Sequence, residues 1–245
     1  MSNAAENLFT LNVITPHLEG FRPPLGEHDP AGDWELSYTL YTLGSIAGSG
    51  GPMGSLVLRR KAAPAGFVLA VDYRKRVPPD MTQEVSGEIT CRQDTLGTPK
   101  RWTYASAITA AGGGPIKHTR LEKSATTTDG QIEIHDGRHR RQLPVAARCT
   151  IHWALFEAVG RLPRTPFEPI RFTLLDHFDQ VKPNHTLSFR RAADVMLGGQ
   201  AVRLHAYDHL GEGVVPWVYW VDKQGRPLFA VSGLEAYVIG FPQKG

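Results

Sequence analysis

The chain has 245 residues, of which 41% are hydrophobic and 21% charged, and its formal net charge is +3. This composition is typical of a globular protein with a substantial core, and it excludes disordered, collagen-like and coiled-coil chains. No apolar run approaches the roughly 18–20 residues that cross a bilayer as a helix. The closest approach to a basic tract is the short run Arg138-His139-Arg140-Arg141. We therefore expect no membrane span and no nucleic-acid partner.

The first half of the chain is predicted to be an irregular arm followed by strands. Residues 1–32 are rich in Pro, Gly and His and are expected to lie over the domain as the arm. Residues 34–40 alternate large and polar side chains, which predicts a half-buried strand,. A Gly-rich loop at 44–54 lacks both glycine fingerprints of phosphate-binding loops, so we predict no cofactor,. Further strands are expected at 56–58, 67–71, 85–91, 101–108, 116–122 and 131–134,.

One helix is predicted over 150–162, with Thr150 as its N-cap and Pro163 as the residue that ends it,. Large apolar side chains surround too much of this segment for a surface helix, so we expect it to be buried. The rest of the chain returns to strands at 171–175, 186–191, 195–197, 201–210, 214–221, 228–231 and 234–239,.

These elements predict a mainly β fold with a single domain over 33–240. Consecutive strands joined by short Gly- and Asp-containing turns indicate a long antiparallel meander. Because strands twist, such a meander is expected to coil into a half-barrel or a sandwich around the buried helix.

Two smaller features are interpreted as structural. Cys91 and Cys149 belong to no CxxC motif, and we expect two core thiols in preference to a disulfide,. The segment Asp176-His177-Phe178-Asp179 holds two carboxylates and an imidazole, but its place before Lys182-Pro183 favours a solvated turn over a cation site.

A polar stripe on the strand at 201–210 is the main functional candidate. Residues two apart in a strand share a face, so Arg203, His205, Tyr207 and His209 point the same way,. The opposite side carries Leu204 and Ala206 and is expected to face the core. We predict His205, Tyr207 and His209 as catalytic residues and Arg203 as a substrate-binding residue. The alternative is an ordinary solvated face, although such faces are usually filled by Thr, Lys and Glu.

Two neighbouring strands are expected to extend this site. His118 and Arg120 share one face of the strand predicted at 116–122, and Trp217 and Tyr219 share one face of 214–221. We predict all four as substrate-binding residues, since aromatic faces beside Arg and His suit a sugar ring or a planar acid. No metal site is predicted, because His205 and His209 are roughly 13 Å apart along a regular strand.

The C-terminal third shows a family resemblance. Tyr207-Asp208-His209-Leu210-Gly211-Glu212-Gly213 leads into Val215-Pro216-Trp217-Val218-Tyr219-Trp220-Val221-Asp222 and then Gln224-Gly225-Arg226-Pro227-Leu228. This sequence pattern resembles that of bacterial curved-sheet domains of unknown function related to periplasmic lipoprotein carriers. The resemblance implies an incomplete barrel around the helix at 150–162, with lipid held in an apolar cavity. The chain departs from the carriers by placing Arg, His and Tyr on the candidate inner face.

His and Tyr beside Arg suit proton abstraction next to a carboxylate or carbonyl, as in a lyase acting on uronate polysaccharides. We therefore expect a carbohydrate-active or small-acid-binding protein whose ligand is a small molecule or a saccharide. The alternatives are a non-catalytic envelope protein that binds a ligand or carries lipid, and a partner-binding β domain. A periplasmic location is favoured over a cytoplasmic one, and the sequence carries no signal for oligomeric state.

Overall fold

The computed structural model describes residues 9–18, 20–43, 51–77, 80–110, 113–128 and 130–240. Within these residues, one 15-stranded sheet dominates the structure. The strands are β1 (Trp34–Thr42), β2 (Pro52–Ala63), β3 (Gly66–Val77), β4 (Met81–Cys91), β5 (Pro99–Ala110), β6 (Leu121–Thr128), β7 (Gln131–His135), β8 (Arg140–Pro144), β9 (Cys149–Ile151), β10 (Ile170–Asp176), β11 (Gln180–Leu197), β12 (Gln200–Leu210), β13 (Trp217–Val221), β14 (Pro227–Ser232) and β15 (Glu235–Ile239). The helical elements are α1 (Phe9–Asn12), a 3-10 turn (Thr15–His17) and α2 (Ala154–Arg161).

The sheet grows outward in two directions from the first and last strands of the chain. β1 pairs with β15 in the middle, β2 to β8 follow on one side, and β14 to β9 follow on the other. The neighbouring strands run antiparallel, except for the parallel pair β9 and β10. The mainly β meander is thereby confirmed, as one large curved sheet that does not close.

The turn between β10 and β11 fastens the two halves of the curved sheet together. Phe178 is 2% exposed and packs against Tyr104 of β5, with ring centroids 4.8 Å apart. The indole N–H of Trp102 donates a hydrogen bond of 3.0 Å to the Phe178 carbonyl, and Asp179 forms an ion pair with Lys123. The predicted turn is present at 177–179 with His177 exposed, but the expectation that the whole turn is solvated is wrong, because the aromatic ring between the carboxylates docks into the core.

The helix α2 is shorter than predicted, and Thr150 is not its N-cap. Thr150 lies in β9, and its hydroxyl donates to the Leu96 carbonyl at 2.7 Å. The N-cap is Trp153, which makes no side-chain capping bond. Pairing of 149–151 with β10 thus overrides the local capping signal. The expected burial is confirmed, since every residue from 154 to 160 is buried.

A buried ion cluster holds α2 against the sheet. Glu157 of the helix accepts a bond of 3.0 Å from Arg60 of β2, and both side chains are completely buried. Arg161 donates two further bonds of 2.7 Å to the same carboxylate. Arg60 also donates to the carbonyl of Gly32 at 2.8 Å, so the cluster joins the helix, the sheet and the N-terminal arm.

Several predicted strand bounds are corrected. The segment 116–122 is not a strand, because His118 adopts a left-handed conformation with φ of 65° and β6 begins at Leu121. The strands predicted at 186–191 and 195–197 are one strand, β11, which carries a register shift between Phe189 and Arg191. The short strands β8 and β9 were not predicted. Of the Gly-rich loop at 44–54, residues 44–50 lie outside the described residues.

Cys91 and Cys149 are both buried and free, as expected for core thiols. Burial raises the pKa of Cys91, and it raises the pKa of Cys149 to about 11. In the described part of the chain, no helix is both long and apolar enough to cross a membrane.

Candidate functional site

The polar stripe on β12 faces the helix. Tyr219 of β13 lies directly opposite Tyr207 and packs against Phe156 of α2, with ring centroids 5.3 Å apart. Directly opposite residues share a face of the sheet, so Tyr207 and His209 also point toward the helix. Neither has any exposed surface. The predicted neighbourhood of Tyr207 with Tyr219 and of His209 with Trp217 is confirmed by the strand register.

The opposite face of β12 is covered as well. Ala206 pairs with Trp220, which pairs in turn with Phe229, and Phe229 contacts Phe21 of the arm at 5.2 Å between centroids. Leu204 belongs to this arm-covered face. The expectation that Leu204 and Ala206 face the core is confirmed, since neither is exposed. The stripe face is buried too at Tyr207 and His209, so the sheet is covered on both sides here.

Tyr207 serves as an anchor for the end of α2. Its hydroxyl donates to the Pro163 carbonyl at 2.9 Å and accepts a bond of 2.8 Å from Arg164. Arg164 also donates to the carbonyl of Gly160 at 2.7 Å, which satisfies a helix C-terminal acceptor,. Burial raises the pKa of Tyr207.

His209 belongs to a buried histidine pair. Its Nε2 lies 2.8 Å from Nδ1 of His185, and both rings lie beside Phe172. Burial, followed by the charges of His152 and His185, lowers the pKa of His209 to about 3. Burial also lowers the pKa of His185. Gly211 permits this packing, since a Cβ there would lie 2.1 Å from Nδ1 of His185.

The remaining predicted residues are dispersed. Arg203 is exposed and pairs with Asp194 at 2.7 Å. His205 is half-buried, and burial followed by the charge of Arg164 lowers its pKa. Arg120 is exposed and donates to Glu122 at 2.8 Å. Arg120 lies with Glu122 and His135 on a different part of the surface, and His118 is exposed in the turn before β6, so neither is placed with the stripe.

A cavity of about 420 Å³ lies beside the start of α2, and it is the best candidate for a binding site. Strands β3, β4, β5 and β15 line one side, and the segments around the start of α2 and the end of β10 line another. Six aromatic residues contribute to its wall: Tyr73, Tyr104, Trp153, Phe178, Trp217 and Tyr237.

Four of these rings, those of Tyr73, Trp153, Tyr237 and Trp217, are joined by successive contacts, and Tyr104 and Phe178 form a separate pair. Trp153 lies 5.4 Å from Tyr73 and 6.1 Å from Tyr237, between ring centroids. Trp217 lies 5.5 Å from Tyr237 and 5.2 Å from the imidazole of His152. Tilted and edge-to-face contacts of this kind fix the ring orientations before any ligand arrives.

Two ion pairs add polar groups to the same cavity. Lys75 of β3 pairs with Glu235 of β15, and Lys182 of β11 pairs with Asp176 at the end of β10. Lys182 also donates to the Gly213 carbonyl at 2.8 Å. Burial is the largest influence on Asp176 and raises its pKa, but the hydrogen bond from Lys182, together with the charges of His177, His152 and Lys182, outweighs burial and lowers that pKa.

Two imidazoles line this cavity, the half-buried His152 and the exposed His177. His152 is the one that packs against the aromatic wall. Burial lowers its pKa to about 4, although the carboxylate of Asp176 opposes the shift. The ring is therefore neutral at pH 7. Among the described residues, no group of three His, Cys, Asp or Glu side chains is arranged to hold a metal ion.

Of the residues predicted for the site, Trp217 lines this cavity. Four cavity residues were not predicted from the sequence: Tyr73 and Lys75, which share a face of β3, and Glu235 and Tyr237, which share a face of β15. The spacing of two residues within each pair was the signal in the sequence that could have indicated them. It did not reveal the site, because β2 and β1 separate β3 from β15 in the sheet and only curvature brings their side chains together.

No family model matches the chain, and no curated protein matches it. Among solved structures, the chain is similar to a beta-barrel-like protein of domain of unknown function DUF1849 from Brucella abortus. The TM-score is 0.56 at 10% sequence identity, and the match covers 88% of this chain and 98% of that one. This likeness shows the fold and supports the coarser part of the sequence resemblance, a curved-sheet domain of unknown function.

Proposed function

We propose that this protein is a saccharide-binding protein whose site is the aromatic cavity beside α2. The observation that carries the proposal is the convergence of aromatic side chains and two ion pairs on one cavity of about 420 Å³. That volume lies within the roughly 300–1,000 Å³ of small-molecule sites. Tyr104 and Trp153 are half-buried and offer most of the aromatic surface, and four buried rings support them.

The chemistry of the wall suits a sugar ring. A pyranose has apolar C–H faces and a polar edge of hydroxyl groups. Trp and Tyr rings offer flat apolar surfaces together with their own N–H and O–H groups. The carboxylates of Asp176 and Glu235 can accept hydrogen bonds from hydroxyls, and the ammonium groups of Lys75 and Lys182 can donate them.

His152 and Asp176 of the cavity are poorly suited to acid–base catalysis. An effective general base has a pKa near the working pH, whereas the pKa of His152 is lowered to about 4,. A glycosidase acid needs a raised pKa, whereas the pKa of Asp176 is lowered. Tyr207 and His209 of the stripe have no exposed surface with which to meet a substrate. These observations favour binding over the lyase chemistry expected from the sequence.

Titration calorimetry of the protein with a panel of neutral and acidic oligosaccharides tests the proposal. We expect saturable binding of at least one saccharide and a loss of about 2- to 12-fold in affinity for Tyr104→Ala, from the roughly 0.5–1.5 kcal/mol of an aromatic contact. Trp34→Ala is the matched control, since Trp34 is a half-buried aromatic residue outside the cavity. Equal losses in both variants, or binding of no saccharide, would refute the proposal.

A second candidate function is lipid carriage in the envelope, the activity implied by the resemblance to periplasmic lipoprotein carriers. It is favoured by two apolar side chains that line the cavity and reach solvent, Val215 at 38% and Leu234 at 58% exposure. Native mass spectrometry of freshly purified protein separates the two candidates. A co-purified lipid displaced by no sugar would favour carriage.

A further inference from the structure

We infer that the two ion pairs of the cavity, Lys75–Glu235 and Lys182–Asp176, restrict the site to uncharged saccharides. This inference rests on the proposed saccharide-binding function and names the class of ligand. It also assigns a role in specificity to four residues, of which the sequence had placed Asp176 and Lys182 only in a turn and had not singled out Lys75 or Glu235.

The first ion pair is built across the curve of the sheet. Lys75 lies on β3 and Glu235 on β15, two strands that have β2 and β1 between them. Their side chains are 29% and 23% exposed, so both are largely withdrawn from water. Glu235 also accepts a hydrogen bond from the hydroxyl of Tyr237 at 3.4 Å, which joins the pair to the aromatic wall.

The second ion pair lies where β10 ends and β11 begins. Lys182 and Asp176 are 22% and 16% exposed. The Gly213 carbonyl accepts a further bond of 2.8 Å from the Lys182 ammonium group. This pair is therefore held by the docked turn that contains Phe178 and by the loop after β12.

The four charges sum to zero, and each has its partner within the cavity wall. A uronate or an amino sugar entering the site would lose water without gaining a free counter-charge, or would have to separate a half-buried ion pair. A neutral sugar pays neither cost. Its hydroxyls can use the lone pairs of the carboxylates and the spare N–H groups of the two lysines while both pairs stay intact.

Affinity measurements with sugars matched in shape but not in charge test the inference. The probes are a neutral glucose disaccharide, the corresponding glucuronate disaccharide and the corresponding glucosamine disaccharide, titrated at low salt and pH 6.5, where the amino groups of the third sugar are protonated. For the unmodified protein we expect the neutral sugar to bind at least 10-fold more tightly than either charged sugar.

Breaking one ion pair should weaken the preference for neutral over charged sugars. The sign of the charge that remains should decide which charged sugar gains affinity. Glu235→Gln leaves Lys75 without its partner, and we expect the ratio of glucuronate to neutral affinity to rise at least 10-fold. Lys75→Met leaves Glu235 and should raise the glucosamine ratio instead. Asp194→Asn breaks an exposed ion pair far along β11 and should leave both ratios unchanged.

The possible outcomes distinguish a failure of this inference from a failure of the proposed saccharide binding. Binding of no sugar refutes the proposed function and the inference with it. Equal binding of neutral and charged sugars by the unmodified protein, or unchanged ratios in both charge variants, overturns the inference alone. If thermal melting shows that Glu235→Gln and Lys75→Met do not fold, Asp176→Asn applies the same test to the other pair.

Discussion

Acid is predicted to destabilise the fold through the buried histidine pair, and the effect can be calculated for His209. Its pKa is lowered from 6.5 to about 3 in the folded protein. Between those values the unfolded chain binds a proton that the folded chain excludes, so stability falls as the pH drops below about 6.5. A pH of 5 lies about 1.5 units below the unfolded-state pKa of 6.5,. At 1.36 kcal/mol per unit, the free energy of unfolding is therefore lower by roughly 2 kcal/mol at pH 5.

Urea unfolding at pH 8 and at pH 5 measures this loss. Other groups also titrate in that range, so the informative quantity is the difference between the unmodified protein and His209→Gln, whose amide can still face His185. We expect the variant to lose about 2 kcal/mol less than the unmodified protein between the two pH values. His139→Gln, at an exposed histidine, is the control and should behave as the unmodified protein. The same pH-dependent loss in all three proteins would refute the reasoning.

Three further predictions concern the elements that frame the cavity. Glu157→Ala leaves Arg60 buried without its carboxylate and should cost about 3–5 kcal/mol in urea unfolding, whereas Glu122→Ala at an exposed pair should cost under about 1 kcal/mol. Phe178→Ala removes the ring that docks the β10–β11 turn, and we expect a loss of about 3–5 kcal/mol together with weaker ligand binding; a loss below about 1 kcal/mol would contradict the docking role. Gly211→Ala places a Cβ against His185 and should lower the melting temperature, which an unchanged melting curve would disprove.

Much of the fold could be predicted from the sequence, because antiparallel strands record their burial in a period of two. The segments 34–40 and 85–91 alternate clearly, and both lie within strands of the sheet. The helix was found because its apolar residues surround the axis. Its start was misplaced because the pairing of 149–151 with β10 depends on residues more than twenty positions away, which no local capping signal reveals.

The candidate site was harder to predict for two physical reasons. First, the polarity of the β12 stripe suggested that its side chains face a ligand. Tyr207 and His209 are instead buried, with Pro163 and His185 as their hydrogen-bond partners. A covering arm then buries the opposite face. Second, the ion pair of Lys75 with Glu235 forms across the curvature of the sheet, and the period of two along a strand contains no information about that curvature.

Saturation-transfer NMR tests the central claim, saccharide binding in the aromatic cavity, most directly. Irradiation of the aromatic protons of the protein should transfer magnetisation to the ring C–H protons of a bound neutral oligosaccharide. The account predicts a saturable signal that weakens in Tyr104→Ala and persists in Trp34→Ala. Absence of transfer to every saccharide at millimolar concentration, or equal transfer in the two variants, would contradict it.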